Sequence, residues 1–467
     1  MAPTRSRVGT RLFGVRWVDD ARHSTGPGAL AAGLALLACG VAHSQQPATF
    51  TPEQLRQDVT AIEAAIERTH PDIAHSVDPA VLGRAIEDVR AKLDHPMSVG
   101  EAWTVLSRLN SVMADGHLAV TYPGGAANEI RQYVKGGGRL FPYAVHVTPG
   151  AEIFVRARLD ETATPLVGRR IEMLDGVSAH DVAENLLAHM NGDTVAMRAQ
   201  LLSERFAFWY WKFYGERKTV RLRIAGTDSV VEASSGTPRA FQEKSFEQLF
   251  RLDLLDDAGA LLTIDEFYWR DKPQFYAFTR EAFARMRNAG TRTLIIDIRA
   301  NLGGDDDVWI EGIMPYIATR SFSNGSSYRL KIIEGRQKED QKVGDVVRSS
   351  QETQYPPQLD NPLRFKGKVY VLISPRTYSS AVLFSTVMQD HGFGTLAGTG
   401  GGARSTQSGC TQNIKLPNTQ MTMVVPRFVL TRSSGGEGLL QPDVMVVDDP
   451  FRPMAAVETL MRHARGQ

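Results

Sequence analysis

Two adjacent serines, Ser379 and Ser380, stand where a strand-like segment gives way to a helix-like one. The apolar run KVYVLIS ends at Ser374, and after PRTY the segment SSAVLFSTVMQDHG has the composition of a helix. A serine at such a junction can be a helix N-cap, whose hydroxyl accepts a hydrogen bond from a backbone N–H. It can also be a nucleophile, because a helix N-terminus supplies N–H donors and a positive potential where an oxyanion develops. The spacing alone leaves both interpretations open.

A second segment could supply oxyanion donors. The run TLIIDIRANLGG is continuously apolar before it ends at Gly303 and Gly304, which is typical of a strand covered on both faces of its sheet. Glycine lets a backbone N–H approach a ligand without an intervening Cβ. A tight turn without a function is the alternative.

The segment GTGGGA, from Gly398 to Ala403, has the G-x-G-x-x-A spacing of a dinucleotide-binding loop. No helix pattern follows it, because RSTQSGCTQNIKLP is polar and strand-like, and no Gly-Lys-Ser/Thr sequence is present. We therefore expect a glycine-rich wall beside a substrate cleft, not a nucleotide site.

Eleven histidines are present, but no HExxH motif, so no metal site is predicted. His391 lies about twelve residues after Ser379 along the same helix, and at roughly 1.5 Å per residue it is too far away to act on that serine. His117 follows an Asp-Gly pair in ADGHLAV, where it is either a structural turn residue or a catalytic base.

Composition excludes several classes of protein. The chain has 467 residues, enough for two or three domains of roughly 150 residues. Its net charge of +1 does not suggest a nucleic-acid surface. No apolar run reaches the ~18 residues that a membrane span requires.

The N-terminus has the pattern of a secretory signal, in which an arginine-rich segment precedes GALAAGLALLACGVAHS. Two cleavage sites compete: LLAC would make Cys39 a lipidated N-terminus, and AHS would release a chain that begins at Gln45. In either case Cys410 is left without an intrachain cysteine partner, so we expect an exported protein without a disulfide framework.

The rest of the chain divides into three regions. Residues 51–113 have helical apolar spacing, residues 139–235 alternate like strands, and the segment after SSGTPRA alternates between strand and helix patterns. The polar segment at 336–354 is predicted to be a surface loop. The aromatic run FAFWYWKFY, Phe206 to Tyr214, is either buried packing or an apolar wall facing the substrate.

Several segments, in this order along the chain, resemble the tail-specific, or C-terminal processing, serine peptidase family, whose relatives include the tricorn core protease and the interphotoreceptor retinoid-binding protein. The resemblance covers most of the chain after residue 50 and is carried by HPDIAHS, MADGHLAV, LIIDIRANLGG, SPRTYSSAVLFSTVMQDHGFGTLAG, and IKLPNTQMTMVVPRF followed by GGEGLLQPDV. It implies an α/β fold with a crotonase-like (ClpP/crotonase-type) catalytic core, an N-terminal helical region and a PDZ-like β-rich module. The implied divisions are a signal peptide at 1–45, the helical region at 46–125, the PDZ-like module at 126–238 and the serine peptidase catalytic domain at 239–467.

The same resemblance implies a set of catalytic residues. The family's nucleophile falls on Ser379, and the N–H groups of Ser380 and of Gly303 or Gly304 would form the oxyanion hole. One branch of the family activates its serine with a lysine, whose place is taken here by an arginine that cannot act as a base. The tricorn-like branch uses a histidine and a glutamate, whose places fall on His117 as general base and Glu437 as its orienting partner, directly or through a hydroxyl.

The arginine at the lysine position is Arg404, and with Gly401 and Gly402 in the glycine-rich wall it is expected to bind substrate. Three positions depart from the family pattern: Gly116 replaces a serine of tricorn, Leu118 replaces a threonine, and Val382 replaces a glutamate that often follows the nucleophile motif.

The resemblance therefore implies an exported, periplasmic serine endopeptidase that cuts polypeptides near their C-termini. No metal or organic cofactor and no nucleic-acid partner is expected, contact with a membrane would come only through a lipid on Cys39, and the oligomeric state is left open. One rival is a catalytically weak binder of apolar ligands or peptides on the same fold. Another is an acyl-CoA enzyme of the crotonase type, against which the export signal argues.

Overall fold

The computed structural model describes residues 49–160 and 162–466. The predicted export signal, with Cys39 and both cleavage sites, lies outside these residues. Among the described residues, no helix is both long and apolar enough to cross a membrane.

The N-terminal region is helical, as the apolar spacing predicts. Its first helix begins with a capping box formed by Thr51 and Gln54, and its apolar stripe is buried. The elements of this region are β1 Thr49–Phe50, α1 Pro52–Thr69, α2 Pro79–Ala91, β2 Met97–Ser98, α3 Val99–Leu106, α4 Arg108–Met113, β3 Ala119–Val120 and α5 Ala126–Lys135.

The middle region is an antiparallel sheet with two helices. Strands β4, β5, β6, β8 and β9 pair in that order, and the short β7 pairs with β6. Their bounds are β4 Tyr143–Val147, β5 Ile153–Arg158, β6 Arg170–Leu174, β7 Val177–Ser178, α6 Ala179–Leu187, α7 Val195–Tyr214, β8 Thr219–Ile224 and β9 Thr227–Glu232.

The aromatic run forms the second half of α7. Phe206, Phe208 and Tyr210 are buried and contact other aromatic rings, including Phe141 and Phe241. The packing interpretation of this run is therefore confirmed, and none of its residues lines the cleft beside Ser379.

The C-terminal region contains a six-stranded sheet in the order β10-β11-β12-β15-β16-β21, parallel except for the edge strand β10. Its elements are α8 Phe246–Leu249, β10 Phe250–Leu255, β11 Gly259–Ile264, α9 Lys272–Asn288, β12 Thr293–Asp297, α10 Asp306–Gly312, α11 Met314–Ile317, β13 Ser327–Lys331, β14 Val346–Ser350, β15 Lys368–Ile373, α12 Ser380–Asp390, β16 Thr395–Gly398, β17 Gln407–Gly409, β18 Gln412–Lys415, β19 Thr422–Val425, β20 Phe428–Thr431, β21 Val444–Met445 and α13 Ala455–Ala464.

Strands β12 and β15 are neighbours and run parallel, so the loops that follow them meet at one edge of the sheet. One loop carries Gly303 and Gly304, and the other leads into Ser379. Ligand sites of open α/β sheets lie at this carboxyl edge.

Two smaller sheets complete the region. One has the order β14-β13-β20-β17, so part of the predicted surface loop at 336–354 is the strand β14. The other joins β18 and β19 to β3 of the N-terminal region, with Ala119 opposite Val424. This pairing fixes the turn that carries His117 against the C-terminal region.

A buried carboxylate makes a second connection between these regions. Asp58 of α1 is fully buried and accepts hydrogen bonds from the backbone N–H groups of Asn418 and Thr419, both at 2.9 Å, and from the Thr419 hydroxyl. Hydrogen bonds to a charged group are among the stronger ones, and removal of the acceptor would leave buried donors unsatisfied.

We predict that Asp58→Ala lowers the free energy of unfolding by about 3 kcal/mol, because buried N–H donors lose their acceptor. The matched control is Asp88→Ala on the exposed face of α2, which should change stability by less than about 0.5 kcal/mol. Urea titration measures both, and equal midpoints for the two variants would contradict the anchoring role of Asp58.

Candidate active site

Ser379 occupies a strained position between β15 and α12. Its φ of 55° and ψ of −126° lie in a region that residues with a Cβ rarely adopt and that costs roughly 1–3 kcal/mol. Two backbone hydrogen bonds hold the chain at this point: the Ser379 N–H donates to Gln407 Oε1 at 3.0 Å, and the Tyr378 N–H donates to the Asn301 carbonyl at 3.1 Å. The hydroxyl makes no capping hydrogen bond to α12, so a capping role for Ser379 is excluded.

The hydroxyl of Ser379 faces His117 instead. Ser379 Oγ lies 3.1 Å from His117 Nε2, although the two residues are 262 positions apart. Both are buried, with 5% of Ser379 and 0% of His117 exposed. This distance is within the range expected for a nucleophile and its base.

A hydroxyl and a carboxylate lie behind the histidine. His117 Nδ1 is 3.0 Å from Ser408 Oγ, and the Ser408 hydroxyl donates to Asp115 Oδ1 at 2.9 Å. Because Ser408 gives its proton to the carboxylate, it can only accept from Nδ1–H. Nε2 then carries the lone pair that faces Ser379, which is the tautomer a general base requires. We call Ser379, His117, Ser408 and Asp115 the relay.

The charges of the relay suit this role. Burial lowers the pKa of His117 below its ordinary value, and the nearby Asp115 carboxylate offsets this only in part, so the imidazole is neutral at pH 7. Burial alone would raise the pKa of Asp115, but His117, His70 and His75 and the His117 N–H bring it below the usual range. A neutral base is thus backed by an ionised carboxylate.

Two N–H groups beside Ser379 are suited to bind an oxyanion. Ser380 is the first residue of α12, and Gly304 lines the same cleft as Ser379 and Ser380. Among the described residues, neither N–H has an acceptor. The Gly303 N–H donates to Asn301 Oδ1 at 2.8 Å, so of the two predicted glycine donors only Gly304 is available.

Gly303 has a steric role. Its φ is 105°, and a Cβ there would lie 2.6 Å from Ser379 Cβ. Glycine is thus required for the chain after β12 to pass the nucleophile. A similar constraint explains Gly116, where a Cβ would lie 2.6 Å from the Tyr378 ring.

Glu437 does not reach His117, so its predicted role as the orienting residue is corrected. It is exposed, next to Gly438, whose carbonyl accepts hydrogen bonds from the backbone and hydroxyl of Ser405. The place beside Nδ1 is taken by Ser408, and the carboxylate behind it is Asp115.

The predicted substrate-binding residues Arg404, Gly401 and Gly402 do not line the cleft, and they make structural contacts instead. The guanidinium of Arg404 donates to the carbonyls of Ala114 at 2.7 Å and Ser76 at 3.0 Å, which clamps the end of α4 just before the His117 turn. A Cβ on Gly402 would lie 2.0 Å from the Pro375 carbonyl, and the carbonyls of Gly401 and Gly402 accept from Thr194 Oγ1.

A further network, which the sequence analysis missed, supports the His117 turn. Asp193, between α6 and α7, accepts a hydrogen bond from the Gly116 N–H at 3.1 Å and from the Tyr378 hydroxyl at 2.9 Å. Burial, with a contribution from Asp115, raises the pKa of Asp193 to about 6. All three regions of the chain therefore meet at this turn.

Among the described residues, one group of side chains could hold a metal ion. His180, Asp181 and Glu184 lie close enough together, but all three are exposed on α6, where acidic groups are common without a metal. No relay residue belongs to this group.

Comparisons with known proteins identify one matching family and several solved structures with a similar fold. Residues 259–446 match peptidase family S41. Among solved structures, a mutant of CPAF superposes with a TM-score of 0.64 at 13% identity, over 89% of this chain and 97% of that chain. Mature CPAF complexed with lactacystin gives 0.61 at 14% identity, over 89% and 98%. The search of curated proteins finds no match.

The fold and the site thus define a serine peptidase. Residues 259–446, which include Ser379 and Ser408, match the S41, or tail-specific protease, family. The structural neighbours, at 13–14% identity, show that the shared fold extends beyond the matched residues over most of the chain.

We predict that Ser379→Ala lowers kcat by up to about 10⁶-fold, the scale of losing a nucleophile. Ser380→Ala keeps its backbone N–H and should retain most activity. Initial rates on a fluorogenic peptide, with circular dichroism to verify folding, measure both. A larger loss in the folded Ser380 variant would reassign the nucleophile.

We also predict that Ser408→Ala and Asp115→Asn each lower kcat by about 10²–10⁴-fold, because the histidine loses its tautomer and its countercharge. Glu437→Gln is the matched control and should stay within about twofold, since the residue is exposed. If one of the two relay variants does not fold, the other still tests the role of the relay. A severe loss in Glu437→Gln with near-normal Ser408→Ala would restore the glutamate as the orienting residue.

Proposed function

We propose that this protein is an exported serine endopeptidase that cuts polypeptides near their C-termini by a Ser379–His117 mechanism supported by Ser408 and Asp115. The observation that carries the proposal is the 3.1 Å approach of His117 Nε2 to the hydroxyl of a strained, buried serine.

In the proposed reaction, Ser379 Oγ attacks the scissile carbonyl while His117 Nε2 takes its proton. The oxyanion is bound by the N–H groups of Ser380 and Gly304. The imidazolium is stabilised through Ser408 by Asp115 and returns the proton to the leaving amine. Water then hydrolyses the acyl-enzyme, with His117 again acting as base.

We also propose a fold assignment for two regions of the chain. We assign residues 239–467 to a crotonase-type catalytic core, because helices α9 and α12 connect parallel strands of one sheet. We assign residues 126–238 to a PDZ-like module, which would bind a substrate C-terminus by strand addition. The all-antiparallel pairing of β4–β9 supports the second assignment.

Export to the periplasm, in soluble form or through a lipid on Cys39, rests on the arginine-rich N-terminus and the apolar segment that follows it. Mass spectrometry of the N-terminus of protein from its native host tests this, and an unprocessed Met1 would refute it. The ligand-binding rival has no equal support, because a binder needs neither the tautomer nor the strain found at Ser379.

We predict that kcat/KM on peptides rises with pH through an acid limb below about pH 6.5, because only the neutral imidazole accepts a proton and burial lowers the pKa of His117. His117→Ala should lose most activity, and His180→Ala on the exposed face of α6 is the control. The substrates are two peptides that differ only in a free or amidated C-terminus, and the free form should be cut faster.

The peptide comparison and the His117 variant test different parts of the proposal. Equal rates on the two peptides would contradict the proposed preference for a free C-terminus, but not the peptidase activity. Near-normal activity of folded His117→Ala, or no cleavage of any peptide by the wild type, would overturn the proposed mechanism.

A further inference from the structure

The cleft beside Ser379 combines apolar walls with one buried carboxylate. Leu383, Phe428 and Leu430 line its sides, and Asp306, only 6% exposed, contributes the acidic group. The nucleophile, Ser380 and Gly304 line the same cleft. A side chain that enters it would therefore contact both hydrocarbon and a carboxylate.

The hydrogen-bond partners of Asp306 are all neutral. Its Oδ1 accepts from the Ser380 hydroxyl, which in turn accepts from the Trp309 indole N–H at 3.0 Å. Its Oδ2 accepts from Asn324 Nδ2 at a long 3.3 Å. Burial raises the pKa of Asp306 to about 6, so the group is still mostly ionised at neutral pH.

In the part of the chain that the structure describes, no cation pairs with the Asp306 carboxylate. Within residues 49–160 and 162–466, no lysine, arginine or histidine nitrogen lies within 4.0 Å of the Asp306 carboxylate. The neighbouring carboxylates are paired differently, since Lys272 lies 3.1 Å from Asp305 and 3.3 Å from Asp307. A buried carboxylate without a countercharge is costly, and a cation brought in by a substrate would offset that cost.

We propose that Asp306 makes this cleft a specificity pocket for a lysine or arginine side chain on the residue whose carbonyl Ser379 attacks. The proposal rests on the proposed peptidase function and adds its substrate class. The apolar walls would contact the methylene stem, as such walls do for long basic side chains, and the charged head would reach Asp306.

Asp306 also accepts a hydrogen bond from the hydroxyl of Ser380, whose N–H is an oxyanion donor. The experiment must therefore distinguish a role of Asp306 in positioning Ser380 from a role in substrate specificity. A positioning role affects every substrate alike, because every substrate uses the same oxyanion hole. A specificity role changes the ratio between the rates for charged and neutral side chains that have the same carbon chain. Lysine and norleucine provide this comparison, since they share four side-chain carbons and differ in the ammonium group.

The test uses fluorogenic peptides that are identical except for lysine, norleucine or glutamate at the attacked residue. Wild type should cut the lysine peptide with a kcat/KM at least about tenfold above that of norleucine, and glutamate should be poorest, since a close charge pair is worth at least this factor. Asp306→Asn should abolish the lysine-to-norleucine ratio, because the lysine peptide loses its charge partner and the norleucine peptide has none to lose. The control Asp307→Asn changes an exposed carboxylate on the same helix and should preserve the ratio.

The wild-type comparison needs no variant, so the proposal stays testable even if Asp306→Asn does not fold. Equal or faster cleavage of the norleucine peptide by wild type would overturn the proposed role of Asp306 in specificity, but not the proposed peptidase function. A uniform loss across all three peptides in folded Asp306→Asn would also overturn it, in favour of a positioning role through Ser380. Failure of wild type to cut any of the three would overturn the proposed function together with the pocket.

Discussion

The site depends on one hydrogen bond, between the Nδ1–H of His117 and the hydroxyl of Ser408. With Ser408 donating to Asp115, this bond fixes which nitrogen of the imidazole carries the proton, and therefore directs a lone pair at Ser379. The imidazole is fully buried, so it would be hard to charge without a carboxylate nearby. The rest of the structure can be understood as what holds these groups, drawn from distant parts of the chain, in one place.

Three kinds of contact hold the His117 turn. The pairing of β3 with β19 attaches the strand that follows it, Arg404 clamps the backbone that precedes it, and Asp193 and Tyr378 bond to Gly116 within it. On the other side of the cleft, Gln407 and Asn301 hold the strained approach to Ser379. Strain at a catalytic residue persists only where surrounding bonds enforce it, as they do here.

The sequence predicts those features that depend only on neighbouring residues. The strand before Ser379, the helix after it and the glycine turn after β12 are all local features, and the structure contains each of them. The approach of Ser379 to His117 came from family resemblance, because nothing local relates residues 262 positions apart.

The errors have a common physical origin. Asp115 is close to His117 in the sequence, but it acts through the hydroxyl of Ser408, which is 293 positions away. The location of that hydroxyl depends on how β17 packs against the His117 turn. Glu437 matched a motif, yet its side chain is in solvent, and Arg404 sits at the place of a catalytic lysine but is used to clamp backbone carbonyls. Side-chain direction and third-party hydrogen bonds are tertiary properties that spacing along a chain does not encode.

The central claim is that burial, strain and the relay together make Ser379 the reactive nucleophile of this chain. Reaction of the folded protein with a fluorophosphonate, followed by intact mass and peptide mapping, tests it most directly. We expect one phosphonyl group per chain, located on Ser379 in the peptide that includes Tyr378 and Ser380. An adduct on another serine, or no adduct on protein shown to be folded, would contradict it.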